Sequence, residues 1–477
     1  MWAVLLICVL CTTLVSAAPS EDEITSLPGL KTKLKWKQYS GYLKASGTKK
    51  LHYWFLQSQS STPEKDPVVL WMNGGPGCSS DLGLLSEHGP FRISNDSQTV
   101  LLNNFSWNKI ANMIYLEAPA GVGFSYSDDK KYATNDDIVA NDNHLAMKDF
   151  FTKFPELQKN EFYITGESYG GIYVPTLSAL IVDDPSFNFK GFMVGNGLSD
   201  SGMNLDSLIY FAYYHGLIGD SDWKELSKCC NGNMTRCEFH TKAGEEEDCR
   251  AAVIKVQMIV YQSGLNEYNL YGKCESSNQG VWFDKTTGKL TYSLFPWHYS
   301  LKNSNLSQNM EVIRMWTDRD NLRLTPPCLN YDNVLKYMRT KEVRKALHIA
   351  DVVQEWDICS SAVGADYRTL YNTMKPQYLK VLAKKKRAMV YNGDVDMACN
   401  FLGDEWFTDS LGLKVKEARK PWHMTLKDKS KQVAGFIKQF ENLSFITIKG
   451  AGHMVPTDKP PQALHMFTNF IWDTPFM

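Results

Sequence analysis

Ser168 stands between glycines in Gly166-Glu167-Ser168-Tyr169-Gly170-Gly171, a G-x-S-x-G spacing. A serine hydroxyl becomes a nucleophile when a base takes its proton, and the base works best when a carboxylate fixes its ring. Two further loops carry those residue types. Asn392-Gly393-Asp394-Val395-Asp396-Met397-Ala398-Cys399-Asn400 offers two aspartates, and Gly450-Ala451-Gly452-His453-Met454-Val455-Pro456 sets an imidazole in a loop with little packing need for one. Spacing does not separate Asp394 from Asp396, since either is also an ordinary turn residue. Of the 10 histidines, His348, His423 and His465 fall on apparent helices or variable loops and read as structural. The attack also creates an oxyanion, which needs backbone N–H donors. Asn73-Gly74-Gly75-Pro76-Gly77-Cys78-Ser79-Ser80 is a glycine-rich turn suited to that task, with the Gly75 N–H as donor beside that of Tyr169. A phosphate cradle fits it less well, because no Gly-Lys-Ser/Thr follows and Pro76 lacks a donor. The sequence has no H-E-x-x-H and no paired-cysteine zinc spacing, so the reading calls for no metal and no cofactor.

These residues can meet only if the chain delivers them to one edge of a sheet. A serine elbow needs a strand before it and a helix after it; Phe162-Tyr163-Ile164-Thr165 and the run from Ile172 to Leu180 have those characters. Other apolar runs of strand length are Pro67 to Met72, Met113 to Leu116, Phe192 to Val194, Met389 to Tyr391 and Phe445 to Ile448. Their apolarity is continuous rather than alternating, as in strands of a mostly parallel sheet covered on both faces. A helix-like stretch at 136–154 lies between two of them, so the class is α/β. The aspartate and histidine loops both follow strands, at the carboxyl edge where such sheets gather a site, and the order Ser, Asp, His is that of α/β-hydrolases.

The 477 residues carry a formal net charge of −1 with 43% hydrophobic and 22% charged residues, a composition able to bury a large core. Nothing favours nucleic acid: the one dense basic run, Lys384-Lys385-Lys386-Arg387, reads as the solvated entry to a strand. Residues 1–17 form an apolar stretch ending in small residues, a secretory leader, and no later segment is long and apolar enough to span a bilayer. Of the 11 cysteines, Cys8 and Cys11 lie in the leader, and the remaining odd number allows four bridges and one free thiol. Sequons at Asn95, Asn104, Asn233, Asn305 and Asn442 join the leader in predicting a glycoprotein of the secretory pathway. The core is read as 18–199 and 326–477. Between them, 200–325 is an inserted, disulfide-stapled cap in which strand runs vanish and Cys229, Cys230, Cys237, Cys249 and Cys274 crowd together. Within the cap, an acidic run at 245–248 opens a helix over 251–261, where negative charge complements the helix dipole. Residues 310–323 resemble an exposed loop open to trypsin-like trimming.

Taken with Trp71 to Ser80, Glu87-His88-Gly89-Pro90 and Glu117-Ala118-Pro119-Ala120-Gly121-Val122-Gly123-Phe124-Ser125-Tyr126, these loops resemble the serine carboxypeptidases along nearly the whole mature chain. The resemblance implies an α/β-hydrolase fold and removal of C-terminal residues at acidic pH, with Ser168, Asp396 and His453 as triad and Gly75 and Tyr169 as oxyanion donors. It implies that Trp71, Asn73, Gly74, Glu87 and Glu167 hold the substrate's free carboxylate, one glutamate of the pair staying protonated because two ionised groups would repel a third. Leu82, Cys399 and Met454 are assigned to the specificity pocket. The implied bridges are Cys78–Cys359, Cys229–Cys249, Cys230–Cys237 and Cys274–Cys328, leaving Cys399 free. Peptides with a free C-terminus are the expected partners, esters and amides further substrates, and the lysosome the expected destination. Since lysosomal members also bind and protect glycosidases, that role and an acyltransferase role are the alternatives; a second copy of the chain is a further candidate partner. Two departures stand out: Gly170-Gly171 replaces a usual Ala-Gly, and Asp81-Leu82 follows Ser80 where relatives have leucine first and a polar residue second.

Overall fold

The computed structural model describes residues 18–275, 281–284, 289–292, 328–425 and 428–476. The leader at 1–17, the loop at 310–323 and Asn305 lie outside the described residues. The backbone is organised by an 11-stranded sheet. Ten of its strands are β1 (Gln38–Lys44), β2 (Lys49–Leu56), β3 (Val68–Met72), β4 (Asn112–Leu116), β5 (Phe162–Ser168), β6 (Phe189–Gly197), β7 (Arg387–Gly393), β8 (Val415–Thr425), β9 (Lys431–Phe440) and β10 (Leu443–Ile448). The eleventh, Tyr126–Ser127, pairs with β2 off the main path. The order is β1-β2-β4-β3-β5-β6-β7-β10-β9-β8. Pairings from β4 through β10 are parallel. The β1/β2 and β8/β9 hairpins join the two sides antiparallel.

Continuous apolar runs form the central strands because each face of the sheet has its own core. Along β3, Val68, Leu70 and Met72 enter one cluster while Val69 and Trp71 enter the other. Residues of β5 and β7 divide the same way: Phe162, Ile164, Ala388 and Val390 on one face, Tyr163, Met389 and Tyr391 on the other. Helices α1 (Asp136–Lys153) and α2 (Gly170–Ile181) cover the first face. Asn135 begins α1 by accepting the Ile138 N–H at 3.0 Å, satisfying an otherwise unpaired donor.

Between β6 and β7 the chain builds α3 (Ser201–Tyr214), α4 (Asp220–Lys228), α5 (Phe239–Glu245) and α6 (Glu247–Gln262), which share a separate core of Leu208, Phe211, Leu226, Phe239, Val256 and Val260. The helix read at 251–261 begins earlier, with Glu247 and Asp248 inside its first turn. This region also contains a short hairpin, Val281–Asp284 with Lys289–Tyr292, where the apolar pattern predicts no strand. Disulfides join Cys78–Cys359, Cys229–Cys249, Cys230–Cys237 and Cys274–Cys328, and Cys399 is a buried free thiol. Later, α7 (Phe401–Ser410) packs on α3 and α8 (Pro460–Trp472) covers the second face through Met466, Phe467 and Phe470. His423 lies on edge strand β8 rather than on a helix or variable loop.

Candidate active site

Ser168 ends β5, and α2 begins two residues later. Its φ of +61° is one that a non-glycine residue adopts only when its surroundings enforce it. The enforcement is visible in the neighbouring loop: a Cβ on Gly74 would meet the Tyr169 nitrogen at 2.4 Å and Ser168 Cβ at 2.7 Å. Glycine there lets the loop after β3 lie against the elbow, bringing the segment of Gly75, whose φ is +116°, beside the Tyr169 N–H. The Cys78–Cys359 bond and a hydrogen bond from Ser79 N to the Ile358 carbonyl at 2.8 Å hold the far end of this loop.

The loops after β7 and β10 meet beside it. His453 Nδ1 lies 2.8 Å from Asp396 Oδ2, and both residues are buried. That contact leaves Nε2 as the ring nitrogen that can face a hydroxyl. Asp396 accepts from Asn196 Nδ2 at 2.8 Å and from the backbone N–H groups of Ala398 and Cys399, each at 3.0 Å. Asp394 instead accepts the Gly450 N–H at 2.6 Å and ties the two loops together. The geometry therefore separates two aspartates that spacing left equivalent.

A second cluster adjoins the elbow. Asn73 Nδ2 donates to Glu87 Oε1 at 3.0 Å and Glu167 Oε1 at 2.9 Å, while its Oδ1 accepts from Trp71 Nε1 at 2.7 Å and Gly83 N at 3.2 Å. Glu87 ends the turn Gly83–Glu87, and Glu167 immediately precedes Ser168. Burial raises both carboxyls above their usual range, and the charge of Glu87 pushes Glu167 further. Crowding of like charges in this way favours retention of a proton by the pair.

Leu82 is buried at the entry to the Gly83–Glu87 turn, and Met454 is half-buried just after His453. Cys399 is buried against Asp396, and its thiol is pushed well up, first by burial and then by that charge. Sequence reading missed Asn196, Glu267 and Tyr268. The Tyr268 carbonyl accepts the His453 N–H at 2.7 Å, and its ring centroid stands 5.1 Å from the imidazole. Burial and the nearby Asp396 push Glu267 up to about 8. No motif surrounds these residues; only the return of the chain after α6 brings 266–268 to the site. Asn95, Asn104 and Asn233 are exposed and Asn442 partly so.

A family model described as serine carboxypeptidase matches residues 28–473. The chain is 48% identical over 467 residues to the lysosomal protective protein of Mus musculus, covering 96% of this chain and 95% of that protein. It is 38% identical to serine carboxypeptidase ctsa-4.1 of Caenorhabditis elegans, with 95% and 94% covered. The crystal structure of Kex1(delta)p, a prohormone-processing carboxypeptidase from Saccharomyces cerevisiae, superposes with a TM-score of 0.72 at 22% identity, covering 95% of this chain and 96% of that one, so the α/β-hydrolase architecture is shared. Matched in sequence over nearly its whole length, the chain belongs to the serine carboxypeptidase family and is a hydrolase of that class.

Proposed function

We propose that the chain removes C-terminal residues from peptides through an acyl-enzyme on Ser168. His453 takes the serine proton through Nε2 as the hydroxyl attacks the scissile carbonyl, while Asp396 holds the ring through Nδ1 and stabilises the imidazolium. The N–H groups of Gly75 and Tyr169 receive the developing oxyanion. The same imidazolium then protonates the departing amino acid, and water repeats the sequence in reverse to release the acyl group.

The observation that carries the specificity for a free C-terminus is the position of Asn73, whose amide donates to both Glu87 and Glu167 beside the nucleophile. In our reading Trp71 and Gly74 complete this pocket, and the shared proton lets it accept the substrate's carboxylate. The linkage has a definite sign. Both carboxyls are raised, so the proton is present in acid and lost as pH climbs, after which repulsion weakens binding. Peptide hydrolysis should therefore decline toward neutral pH mainly through KM. A substrate amidated at its C-terminus lacks the charge and should keep its affinity. Measuring kcat/KM for one peptide and its amide from pH 4 to 8 tests the assignment; identical profiles would refute it.

We assign the protein to the secretory or lysosomal lumen, on the strength of the leader-like start, the exposed sequons and the lysosomal relative. Among the described residues no helix is long and apolar enough to cross a membrane.

A further inference from the structure

His52 on β2, Asp81 after the glycine-rich loop and Glu117 after β4 meet in the interior, each with 0% of its surface exposed. One ligand atom from each lies within 4.8 Å of the others. His52 Nδ1 stands 2.9 Å from Glu117 Oε2 and 3.7 Å from Asp81 Oδ2.

The Ser40 hydroxyl fixes the tautomer of a neutral His52. Ser40 has one hydroxyl hydrogen and donates it to the Leu347 carbonyl at 2.7 Å, so toward His52 Nε2, 2.8 Å away, it acts only as acceptor. The proton of a neutral His52 is therefore on Nε2, and the Nδ1 lone pair points at the carboxylates. Glu117 is held from the other side: Oε2 accepts the Phe124 N–H at 2.7 Å, and Oε1 accepts Trp356 Nε1 at 2.8 Å and the Ser79 hydroxyl. Neither oxygen of Asp81 accepts a hydrogen bond from an N–H or hydroxyl donor, and the one side-chain group it can share a proton with is Glu117. An imidazole lone pair and two carboxyl groups thus converge with nothing positive between them, an arrangement that burial makes costly.

From this convergence we infer that His52 Nδ1, Asp81 and Glu117 form a buried site for a divalent cation of the zinc type, with the second oxygen of Asp81 available as the fourth donor. Ligands on tetrahedral zinc, at bonds of about 2.0–2.1 Å, stand roughly 3.3 Å apart, and the observed 2.9 and 3.7 Å bracket that spacing. One imidazole with two carboxylates is a donor set zinc accepts, and its charge cancels theirs. The Ser40 relay supplies the support that metal-bound histidines usually have, a partner on the ring nitrogen facing away from the metal. With no ligand exposed, the ion enters as the chain folds. Once bound, it fastens the segment that follows the glycine-rich loop to β2 and to the residue after β4.

The rival state is a proton instead of a cation, carried by Asp81 or by His52 Nδ1, and metal content separates the two. Protein secreted into medium supplemented with zinc alone and dialysed at neutral pH should hold about one zinc per chain, bound by imidazole nitrogen and oxygen in X-ray absorption. Asp81→Asn and Asp81→Leu should lose it by at least about tenfold while an active-site serine probe still labels the folded protein. Wild-type protein free of zinc both as secreted and after refolding with zinc would overturn the site. So would variants that keep the metal. Should neither variant fold, absorption from wild-type zinc decides alone: sulfur or several imidazoles in its shell would place the ion elsewhere.

Discussion

Asp396 differs from Asp394 in its donors. The first receives Asn196, two backbone N–H groups and His453, whereas the second receives a single N–H from the neighbouring loop. Asp396→Asn leaves the imidazole in the wrong tautomer and should lower kcat by about 10⁴-fold; Asp394→Asn removes a loop tie and should cost far less. The reverse ranking would exchange their roles. Ser168→Ala should remove about 10⁶-fold of turnover without loss of secretion. Asn196 acts through Asp396 and is a positioning residue. Its Oδ1 accepts the Gly393 N–H at 2.9 Å and its Nδ2 reaches Asp396 at 2.8 Å, from a strained φ of +39°. Asn196→Ala should lower kcat by about 10²-fold through misplacement with KM unchanged; a rise in KM alone would contradict that role. Ser168, His453 and the aspartate pair were legible because each sits in a short motif after an apolar strand. Asn196 was not, since a single amide at the end of an apolar run carries no spacing signal.

At the scale of elements, the site depends on how closely the loop after β3 approaches the turn between β5 and α2. No side chain fits at Gly74. Gly74→Ala must part the loop from Tyr169, withdrawing the proposed Gly75 donor, and should cost about 10²–10³ in kcat, the usual effect of losing one oxyanion donor. Steady-state kinetics on folded variant protein check this, and an unchanged kcat would remove the loop from the mechanism. Continuous apolarity revealed β3, β4, β5, β6, β7 and β10 because both faces of each are covered. It passed over β1, β2, β8 and β9. For β8 the reason is exposure: residues 415–421 are all exposed, so no hydrophobic face marks them as a strand. Exposure does not account for β2, where Leu51 to Leu56 are all buried. The long return from α6 to His453 was equally hidden, because a loop that packs through its backbone carbonyl needs no particular side chain.

For the molecule as a whole, buried carboxyls around Asp396 set the pH range in which the fold is most stable. Burial raises Glu267 to about 8 and Asp404 to about 7; Asp404 accepts Asn392 Nδ2 at 2.8 Å, and Glu267 has one oxygen with no hydrogen-bond partner. The Glu87 and Glu167 pair is raised as well. Unfolded, these groups release their protons near their ordinary values of 4.5 and 3.8. Between those values and 7 to 8 the folded chain binds more protons than the unfolded one, so stability falls as pH rises through that window. Each tenfold gain in proton affinity on folding is worth about 1.4 kcal/mol, so the combined loss is on the order of several kcal/mol, enough to offset much of a typical folding free energy. Thermal unfolding should therefore show a higher Tm near pH 5 than near pH 8. Glu267→Gln and Asp404→Asn should each flatten the decline, since an amide has no proton to lose. A Tm that rises from pH 5 to 8, or a decline unchanged in both variants, would contradict this account. Because the same acidity that keeps these carboxyls neutral also keeps the proposed shared proton on the Glu87 and Glu167 pair, stability and the proposed carboxylate binding should fail together toward neutral pH. The two are separable in the Glu267→Gln variant, which should gain stability at pH 8 while its peptide KM still climbs there.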